Sequence, residues 1–411
     1  MLTDFINLIL GYQHSVILRQ DGSVWSTAIN LHGAIIPSST SSRYFFPVFP
    51  SGATAAAAGN AFSVVLKQDD SVWAIGRNNR GQLGDGTSVD RKDTFRNVQF
   101  IIGARAVAAG GYHSMILTEE GSVWVTGWNV YGQLGDELSR IVDTDNNFRM
   151  NNQRFHIAMH GGAKAVAAGD AHSIVLNQDG SVWAAGRNNN GQLGDGSRDD
   201  RSNFVQVVPR SAVAVAAGGY HSMVLKSDGS VWATGCNDYG QLGDGSTIDR
   251  LSYLEVVSSG VKAVAAGSRH SMMLTQNGSV WASGYNEHGQ LGDGSTKSSK
   301  TFMQVIVDGA KVVAAGAFHS MVLKRDGSIW ATGLNKDGQF GNGLRISKQS
   351  FVRLSPFDKG SIATRYAYES ICMTPSLTLV LIYLAQSISI ANRMSVRLPS
   401  SAFVSCIFQQ A

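Results

Sequence analysis

The chain has 411 residues, of which 43% are hydrophobic and 16% charged, a balance that excludes intrinsic disorder as the main state. The formal net charge is +4, but residues 346–411 hold six basic and two acidic side chains, so the first 345 residues carry no net charge. A neutral body disfavours nucleic-acid binding by bulk charge, and three unpaired cysteines (Cys236, Cys372, Cys406) disfavour a disulfide scaffold or zinc ribbon.

The first ten residues contain one acid and no basic residue, which does not fit a secretory signal. The distant cysteines fit a reducing compartment, so we expect a cytoplasmic or nuclear protein. The chain also has 46 glycines against 7 prolines, which predicts many tight turns between short elements.

A tryptophan recurs along the chain at steps of 48, 51, 59, 49, 49 and 49 residues. The seven tryptophans are Trp25, Trp73, Trp124, Trp183, Trp232, Trp281 and Trp330. Eleven residues before them stands a His-Ser pair in six units, whereas Phe62 replaces the histidine in the second unit. The six histidines are His14, His113, His172, His221, His270 and His319. Repetition at fixed internal spacing identifies seven copies of one structural unit.

A second block, Asn-x-x-Gly-Gln-Leu-Gly-Asp-Gly in its full form, follows each tryptophan except the first, where NLHGAII (30–36) is degenerate. The block occurs, with two variants, at 78–86, 129–137, 188–196, 237–245, 286–294 and 335–343. Its leucine is predicted to be a buried packing residue in five units, at Leu83, Leu134, Leu193, Leu242 and Leu291.

Each unit has the pattern of strands, and none has the 3.6-residue apolar period of a helix. In the fifth unit (212–235), two β-rich runs flank Asp228-Gly229, which predicts a hairpin with a type I′ turn. The second unit has Asp69-Asp70 there, so a looser turn or another turn type is expected. Runs such as HSMVL are apolar at nearly every position, which indicates strands buried on both faces.

A unit of about 49 residues with four short strands cannot bury both faces of its sheet alone. Radial stacking and ring closure solve this problem. We therefore predict an all-β, seven-bladed β-propeller over residues 1–350, with each repeat tryptophan wedged between adjacent blades.

The units resemble the repeats of the regulator of chromosome condensation family, with the pattern V-A-A-G-x-x-H-S-x-x-L-x-x-D-G-x-V-W-x-x-G-x-N-x-x-G-Q-L-G over about residues 9–345. This resemblance implies a seven-bladed propeller that acts as a docking surface, and it treats the His-Ser pair as structural. Members of the family include exchange factors for a Ran-like GTPase, chromatin binders, ubiquitin-ligase regulatory domains and a plant ultraviolet sensor. The fold alone therefore does not determine the function.

Residues 351–375 are interpreted as a closing or vestigial half-repeat. SFVRLSP (350–356) resembles NFVQVVP (203–209), and we expect the half-repeat to complete the first blade from the C-terminal side. The apolar and basic tail, 376–411, contains an uninterrupted apolar core, 377–385, that is too short to cross a bilayer. A buried strand or short helix is the first interpretation of that core, followed by a poorly ordered tail and then a membrane segment.

No catalytic constellation, cofactor motif or metal site is found in the sequence. The aligned histidines suggest metal or acid–base chemistry, but a residue that recurs with the repeat serves the architecture that all blades share. Phe62 shows that the position needs a ring rather than a titratable nitrogen. The Gly-Asp-Gly-Ser/Thr turns lack the ligand spacing of a calcium loop, so they are interpreted as turns.

Candidate partner-binding residues are the positions that vary against the fixed repeat. One set precedes each histidine and contains residue types that are enriched at interface hot spots: Tyr12, Tyr112, Tyr220, Arg269 and Phe318. A second set lies at the Asn-x-x-Gly tips and includes Tyr131 and Tyr239. A third candidate is the ten-residue excess of the third unit, in or near 139–160, which contains Arg149 and Arg154 and suggests a functional loop.

These observations predict a monomeric, non-catalytic propeller that presents loops of one face to a protein partner. The first alternative is a guanine-nucleotide exchange factor for a Ran-like small GTPase. The resemblance implies a parallel here, because the exchange factor for Ran projects a hairpin wedge from its third unit, and the insertion in this chain also lies in the third unit. The second alternative is a regulatory fragment of a ubiquitin-ligase-type protein. Nucleic acid and membrane are not expected as partners.

Overall fold

A computed structural model describes residues 5–28, 42–136 and 151–354. The chain divides into two compact units, Met1–Pro356 and Phe357–Ala411. The second unit lies outside the described residues, and so does the apolar segment 377–385 of the predicted tail.

The described part of the chain contains 28 strands and no helix. In chain order they are β1 Phe5–Leu10, β2 His14–Arg19, β3 Val24–Ala28, β4 Ser42–Phe49, β5 Ala53–Ala58, β6 Phe62–Lys67, β7 Ser71–Gly76, β8 Arg91–Phe100, β9 Ala104–Ala109, β10 His113–Thr118, β11 Val123–Trp128, β12 Asn151–Met159, β13 Ala163–Ala168, β14 His172–Asn177, β15 Val182–Gly186, β16 Arg201–Val208, β17 Ala212–Ala217, β18 His221–Lys226, β19 Val231–Gly235, β20 Arg250–Val257, β21 Val261–Ala266, β22 His270–Thr275, β23 Val280–Gly284, β24 Ser299–Ile306, β25 Ala310–Ala315, β26 His319–Lys324, β27 Ile329–Gly333 and β28 Lys348–Arg353.

The strands form seven antiparallel four-stranded sheets, each built from four consecutive strands. This arrangement confirms the predicted seven-bladed propeller. The second strand of each blade is covered by blades on both sides, and in β18 every residue from His221 to Leu225 is buried. Continuous apolar sequence in these strands is therefore required by two-sided burial.

The first strand of each blade lies innermost and lines the central channel. These strands are rich in alanine, as in AVAVAA of β17, because seven of them converge around one axis and leave little space for side chains. Their glycine-containing ends meet around one opening of the channel, called here the channel mouth.

The hairpins between the second and third strands differ from the predicted type I′ turn. Gly229 has φ 82°, whereas Asp228 is not among the residues with positive φ. The Asp228 carboxylate instead accepts a hydrogen bond from the Ser230 amide at 2.8 Å, and Gly229 N donates to Lys226 O at 3.0 Å. Only one position thus needs the left-handed conformation, as in a three-residue loop with a glycine bulge.

The second unit has neither the looser turn nor the different turn type expected from Asp69-Asp70, because its turn matches that of the fifth unit. Asp70 has φ 63° and donates its amide to Lys67 O at 3.2 Å, so it occupies the left-handed position that glycine takes in the fifth unit. Aspartate tolerates this conformation better than most residues because its short polar side chain bonds locally.

The repeat tryptophans lie half-buried at the seams between blades. Trp73 of the second blade packs on Val48 and Phe49 of the first, and its ring meets that of Phe49 edge-on at 5.7 Å. Trp124, Trp183, Trp232, Trp281 and Trp330 pack in the same way on the apolar cluster of the preceding blade. In six of the repeats the indole N–H donates to the serine two residues before the tryptophan, as Trp73 does to Ser71.

The ring closes between the seventh and first blades through polar contacts. Ser15 Oγ lies 2.9 Å from His319 Nε2 and donates to Gln339 O at 2.8 Å. Thr27 Oγ1 donates to Gly338 O at 2.9 Å. No strand is exchanged, because the first blade takes all four strands from residues 5–49.

The structure corrects two sequence interpretations. Residues 350–353, expected to complete the first blade, belong to β28 and pair with β27 of the seventh blade. SFVR (350–353) resembles NFVQ (203–206) because both lie in the outer strands of their own repeats. In the third unit, 151–159 of the expected loop form β12 and pair with β11. Residues 137–150 and 355–375 lie outside the described residues.

Candidate functional site

The histidine of each repeat links two neighbouring blades. His172 Nε2 lies 3.0 Å from Ser222 Oγ of the next blade, and Ser222 Oγ donates to Gln192 O of the same blade as the histidine at 2.6 Å. Equivalent His–Ser contacts of 2.8–3.0 Å join six of the seven seams. At the remaining seam Phe62 fills the histidine position, and Ser114 still donates to Gln82 O.

These histidines are fully buried, and burial lowers the pKa of His113 to about 4 and that of His172 to about 3. They are therefore neutral at physiological pH and are not poised for proton transfer. The glycine before each one is required by space, because a Cβ on Gly169 would stand 2.2 Å from the His172 ring and 2.5 Å from Gly218 O. The V-A-A-G-x-x-H-S motif thus encodes a seam.

The Asn-x-x-Gly-Gln-Leu-Gly block folds into a compact knot around its asparagine. Asn188 is fully buried; its Oδ1 accepts from Leu193 N at 3.0 Å and its Nδ2 donates to Asp195 Oδ1 at 2.9 Å. Asp195 also accepts from Ser197 N at 3.0 Å and from Arg201 Nε at 2.6 Å. The carboxylate of the turn that resembles a calcium loop is thus engaged by the protein itself.

Burial of the block leucines at 0% exposure confirms their predicted packing role, with Phe340 replacing leucine in the seventh unit.

Both sets of variable positions lie on the same face of the propeller. His14 is opposite Ala28 in the β2–β3 ladder and Leu10 is opposite Ser15 in the β1–β2 ladder. The loops after the first and third strands of a blade therefore emerge at one end of each sheet. We call this end the variable face, and the channel mouth opens at its centre.

The channel mouth is lined by residues from all seven blades, most of which are glycine and alanine. Its cavity measures about 90 Å³, room for a few water molecules. The channel mouth is therefore too small to admit a side chain of a partner, and the larger side chains of this face lie around the opening.

A nearly continuous belt of aromatic rings and arginines surrounds the mouth, and we call it the mouth belt. Ring pairs in edge-on contact are Tyr112–Trp128 (5.6 Å), Trp128–Tyr131 (5.3 Å), Tyr239–Tyr285 (4.7 Å), Tyr285–His288 (6.0 Å), His288–Phe318 (5.3 Å) and Tyr12–Phe318 (5.7 Å). Arginine–ring contacts in the belt are Arg77–Tyr112 (5.1 Å), Arg80–Trp128 (5.8 Å), Arg187–Tyr131 (5.2 Å), Arg187–Tyr220 (5.8 Å), Arg269–Tyr220 (5.4 Å) and Arg269–Tyr239 (5.2 Å).

Partial burial of the belt perturbs its titratable groups. Burial and the hydrogen bond to Glu287 raise the pKa of Tyr285 to about 12. Burial also raises the pKa of Asp170, although the Tyr220 hydroxyl and the Arg187 guanidinium act in the opposite direction. Burial likewise raises the pKa of Tyr12 and Tyr220, so these two residues and Tyr285 remain neutral hydrogen-bonding groups at physiological pH.

The structure brings seven of the nine predicted partner-binding residues together in the mouth belt: Tyr12, Tyr112, Tyr220, Arg269, Phe318, Tyr131 and Tyr239. Arg154 lies elsewhere, on the outer strand β12, beside Gly86 of the second blade. Arg149 lies outside the described residues.

Sequence reasoning missed Arg77, Trp128, Arg187 and Tyr285 of the belt. These residues occupy one repeat position, between the glycine that ends the third strand and the asparagine of the block. The position varies among the units while both neighbours stay the same, and this variation was the signal that could have identified them.

One group of possible metal ligands occurs in the described part of the chain. Ligand atoms of Cys236, Asp238 and Asp249 lie within 4.8 Å of one another. Burial raises the pKa of Cys236 to about 11, so its thiol is protonated and donates to Asp238 Oδ2 at 3.4 Å. Asp249 accepts from Asn237 N at 2.9 Å. Hydrogen bonds thus account for this group.

A larger cavity of about 660 Å³ opens at the seam between the fifth and sixth blades. Its lining includes Val257, Met273, Trp281 and Phe302, and none of its lining residues is acidic, basic, histidine or cysteine. Its serine and threonine hydroxyls, as in Ser279, therefore have no general base among the lining residues. No helix in the described ranges has the length and apolar character needed to span a membrane.

Comparison with known proteins identifies the repeats. The model of the RCC1-like domain matches residues 2–305, and the model of the regulator of chromosome condensation (RCC1) repeat matches residues 310–339. Together these matches include the described residues of all seven blades except Ile306, which ends the sixth blade, and the end of the seventh blade.

Several curated relatives are similar over parts of the chain. Ultraviolet-B receptor UVR8 of Arabidopsis thaliana is 34% identical over 30% of this chain and 27% of its own length. Regulator of chromosome condensation of Drosophila melanogaster is 32% identical over 28% of this chain and 20% of its own. The human probable E3 ubiquitin-protein ligase HERC4 is 39% identical over 23% of this chain and 8% of its own length. The aligned regions thus span about a quarter or less of these relatives.

Solved structures share the fold at low sequence identity. Human WBSCR16 superposes with a TM-score of 0.71 at 22% identity, covering 81% of this chain and 94% of that one. Prp20p of Saccharomyces cerevisiae superposes with a TM-score of 0.66 at 22% identity, covering 76% of this chain and 80% of that one. Its structure is described together with its binding to Gsp1p and histones.

Proposed function

Because this chain belongs to the family of RCC1-like domains, we propose that it is a non-catalytic propeller that binds a protein partner through its variable face. The observation that carries this proposal is the mouth belt. Tyrosine, tryptophan and arginine, the residue types that dominate binding energy at interfaces, occupy the positions where the repeats differ and surround one opening.

Rigidity of the support favours binding by this face. The belt residues stand on loops that are held by buried asparagine knots and by His–Ser seams. Little conformational entropy is then lost when a partner docks, because the loops are ordered in advance.

The proposal is tested by affinity capture with the full chain from a native lysate. A variant with Tyr112, Tyr220, Arg269 and Phe318 changed to Ala is compared with a control variant, Lys262→Ala with Lys311→Ala. The control lysines are exposed on the inner strands, toward the opposite face. Proteins retained by the wild type and the control are expected to be lost from the belt variant. Unchanged capture by the belt variant contradicts this choice of surface.

A second candidate function is guanine-nucleotide exchange on a Ran-like small GTPase. Similarity to regulator of chromosome condensation and to Prp20p supports it. Such a protein acts by binding the nucleotide-free GTPase more tightly than the loaded form. Release of a fluorescent nucleotide from the GTPase, with and without micromolar chain, is the test, and an unchanged release rate removes this candidate. A role within a ubiquitin-ligase-type protein rests on the partial similarity to HERC4.

A further inference from the structure

Two arginines of the mouth belt are each held between two tyrosine rings. Arg187 lies over Tyr131 and Tyr220, at 5.2 and 5.8 Å from the ring centres. Arg269 lies over Tyr220 and Tyr239, at 5.4 and 5.2 Å. The five residues form an alternating series across neighbouring blades, which we call the Tyr–Arg ladder.

The two ladder guanidinium groups differ from other arginines of the same face. Arg201 and Arg250 donate to Asp195 and Asp244 at 2.6–2.8 Å. By contrast, neither Arg187 nor Arg269 makes a side-chain hydrogen bond or ion pair with any described residue. The tyrosine rings contact these groups without accepting hydrogen bonds from them, so their N–H donors remain available to a ligand.

A guanidinium edge is a fork of parallel donors that matches a carboxylate in a bidentate pair. Contact with two tyrosine rings restricts each arginine side chain, so less side-chain entropy is lost when the pair forms. Both ladder arginines are half-buried, and partial exclusion of water strengthens the attraction between opposite charges.

We propose that the Tyr–Arg ladder binds two carboxylates of an acidic segment in the protein partner, an inference that rests on the proposed function. Both guanidinium carbons lie within 6 Å of the Tyr220 ring centre, so they are at most about 12 Å apart. An extended segment advances about 3.3 Å per residue. The segment therefore carries acidic side chains at most about three positions apart.

Single-stranded nucleic acid is the competing ligand, because aromatic rings and arginines also bind bases and phosphates. The ladder fits it less well, since guanidinium groups already occupy the faces of Tyr220 on which a base would stack.

The test is selection of random 12-residue peptides displayed on phage against the immobilised full chain. Selected peptides are then measured by fluorescence anisotropy against wild type, Arg187→Gln with Arg269→Gln, and Arg187→Lys with Arg269→Lys. We expect Asp or Glu pairs at the stated spacing and at least tenfold weaker binding to the glutamine variant. The lysine variant keeps the charge without the planar fork and should recover binding only in part.

The control is Arg198→Gln on the same face, because Arg198 already donates to Asn189 O at 2.5 Å and pairs with Asp249. It should bind the peptides as the wild type does. Thermal melting of each variant checks that the fold is retained, and changing the acidic pair of a selected peptide to Gln should weaken binding by the same factor.

Three outcomes overturn the inference, and they separate it from the proposed function. Peptides that need Tyr112 and Phe318 but carry no acidic pair refute the ladder site and leave the proposed function standing. Absence of any peptide that depends on the variable face counts against both. Binding of a 12-nucleotide oligo(dT) at micromolar protein, lost in the glutamine variant, assigns the ladder to nucleic acid instead.

Discussion

The repeat histidine shows how one residue can be required for its ring while its nitrogens contribute less. His172 Nε2 contacts Ser222 Oγ, but the Nδ1 atom of His172 has no hydrogen-bond partner among the described residues. Phe62 occupies the same position with full burial. The main requirement at this position is therefore a ring that fills the space beside the glycine three residues earlier, as His172 does beside Gly169.

We expect His172→Phe to change the free energy of unfolding by only about 1 kcal/mol at pH 7.5, because shape is conserved and Ser222 keeps its bond to Gln192 O. His172→Ala should destabilise the chain by about 3 kcal/mol, because it leaves a cavity. Chemical denaturation of both variants measures the two effects. Equal losses would show that the hydrogen bond, rather than the ring, supports the seam.

Six buried neutral histidines also predict acid sensitivity. Burial lowers their pKa values to about 3 or 4, below the value of about 6.5 in the unfolded chain. The unfolded state therefore binds more protons below pH 6.5. Stability is complete above that pH and falls as the pH is lowered toward the folded pKa values.

Each histidine contributes up to about 1.4 kcal/mol per pH unit to this loss. Unfolding by denaturant at pH 7.5, 6.5 and 5.5 measures it, and His172→Phe should show a shallower dependence than wild type. Equal stability at pH 7.5 and 5.5 would be inconsistent with neutral buried histidines.

At the scale of the element, the Asn-x-x-Gly loop is held as firmly as a strand. Its asparagine satisfies main-chain groups that a buried loop would otherwise leave unpaired, and Asp195 completes the knot by bonding Arg201. This local closure explains why a loop can carry belt residues such as Tyr131 and Tyr239 in defined positions.

Asn188→Ala is expected to destabilise the chain by about 2 kcal/mol, because Leu193 N and the Asp195 carboxylate lose their buried partner. Asn189→Ala, one residue further, should change stability by less than about 0.5 kcal/mol, because Asn189 is exposed. Thermal unfolding of the pair tests the difference. A similar loss in both variants would refute the role given to the knot.

At the scale of the whole molecule, the seam between the seventh and first blades has no covalent connection. Every other seam is crossed by a short connection, such as residues 209–211 between β16 and β17. Loss of the same side-chain bonds should therefore cause more local opening at the closing seam than at any other seam. Only the closing seam can separate without stretching the chain.

Ser15→Ala with Thr27→Val removes side-chain bonds of the closing seam. Ser222→Ala with Thr234→Val removes the matching bonds at the seam between the fourth and fifth blades. Both pairs should lower global stability to a similar extent. Amide hydrogen exchange should accelerate in β1 and β25 only for the first pair, and equal acceleration by both pairs would contradict preferential opening of the closing seam.

The sequence by itself determined the number of blades, the strands of each blade and the covered leucines, because these features recur and recurrence reveals local packing rules. It also identified most of the mouth belt as variation against that repeat. The sequence did not predict the turn geometry correctly, because the Asp228 carboxylate accepts a hydrogen bond from Ser230 N and Asp228 does not adopt a positive φ.

Only the tertiary structure decided which residues meet. Arg187 and Tyr131 are 56 positions apart in the chain yet stack because neighbouring blades bring their loops together around one opening. Likewise, the sequence of β28 has the pattern of an outer strand and would fit either the first or the seventh blade. Its pairing with β27 assigns it to the seventh blade. Contacts between blades depend on the closed ring, which no single repeat encodes.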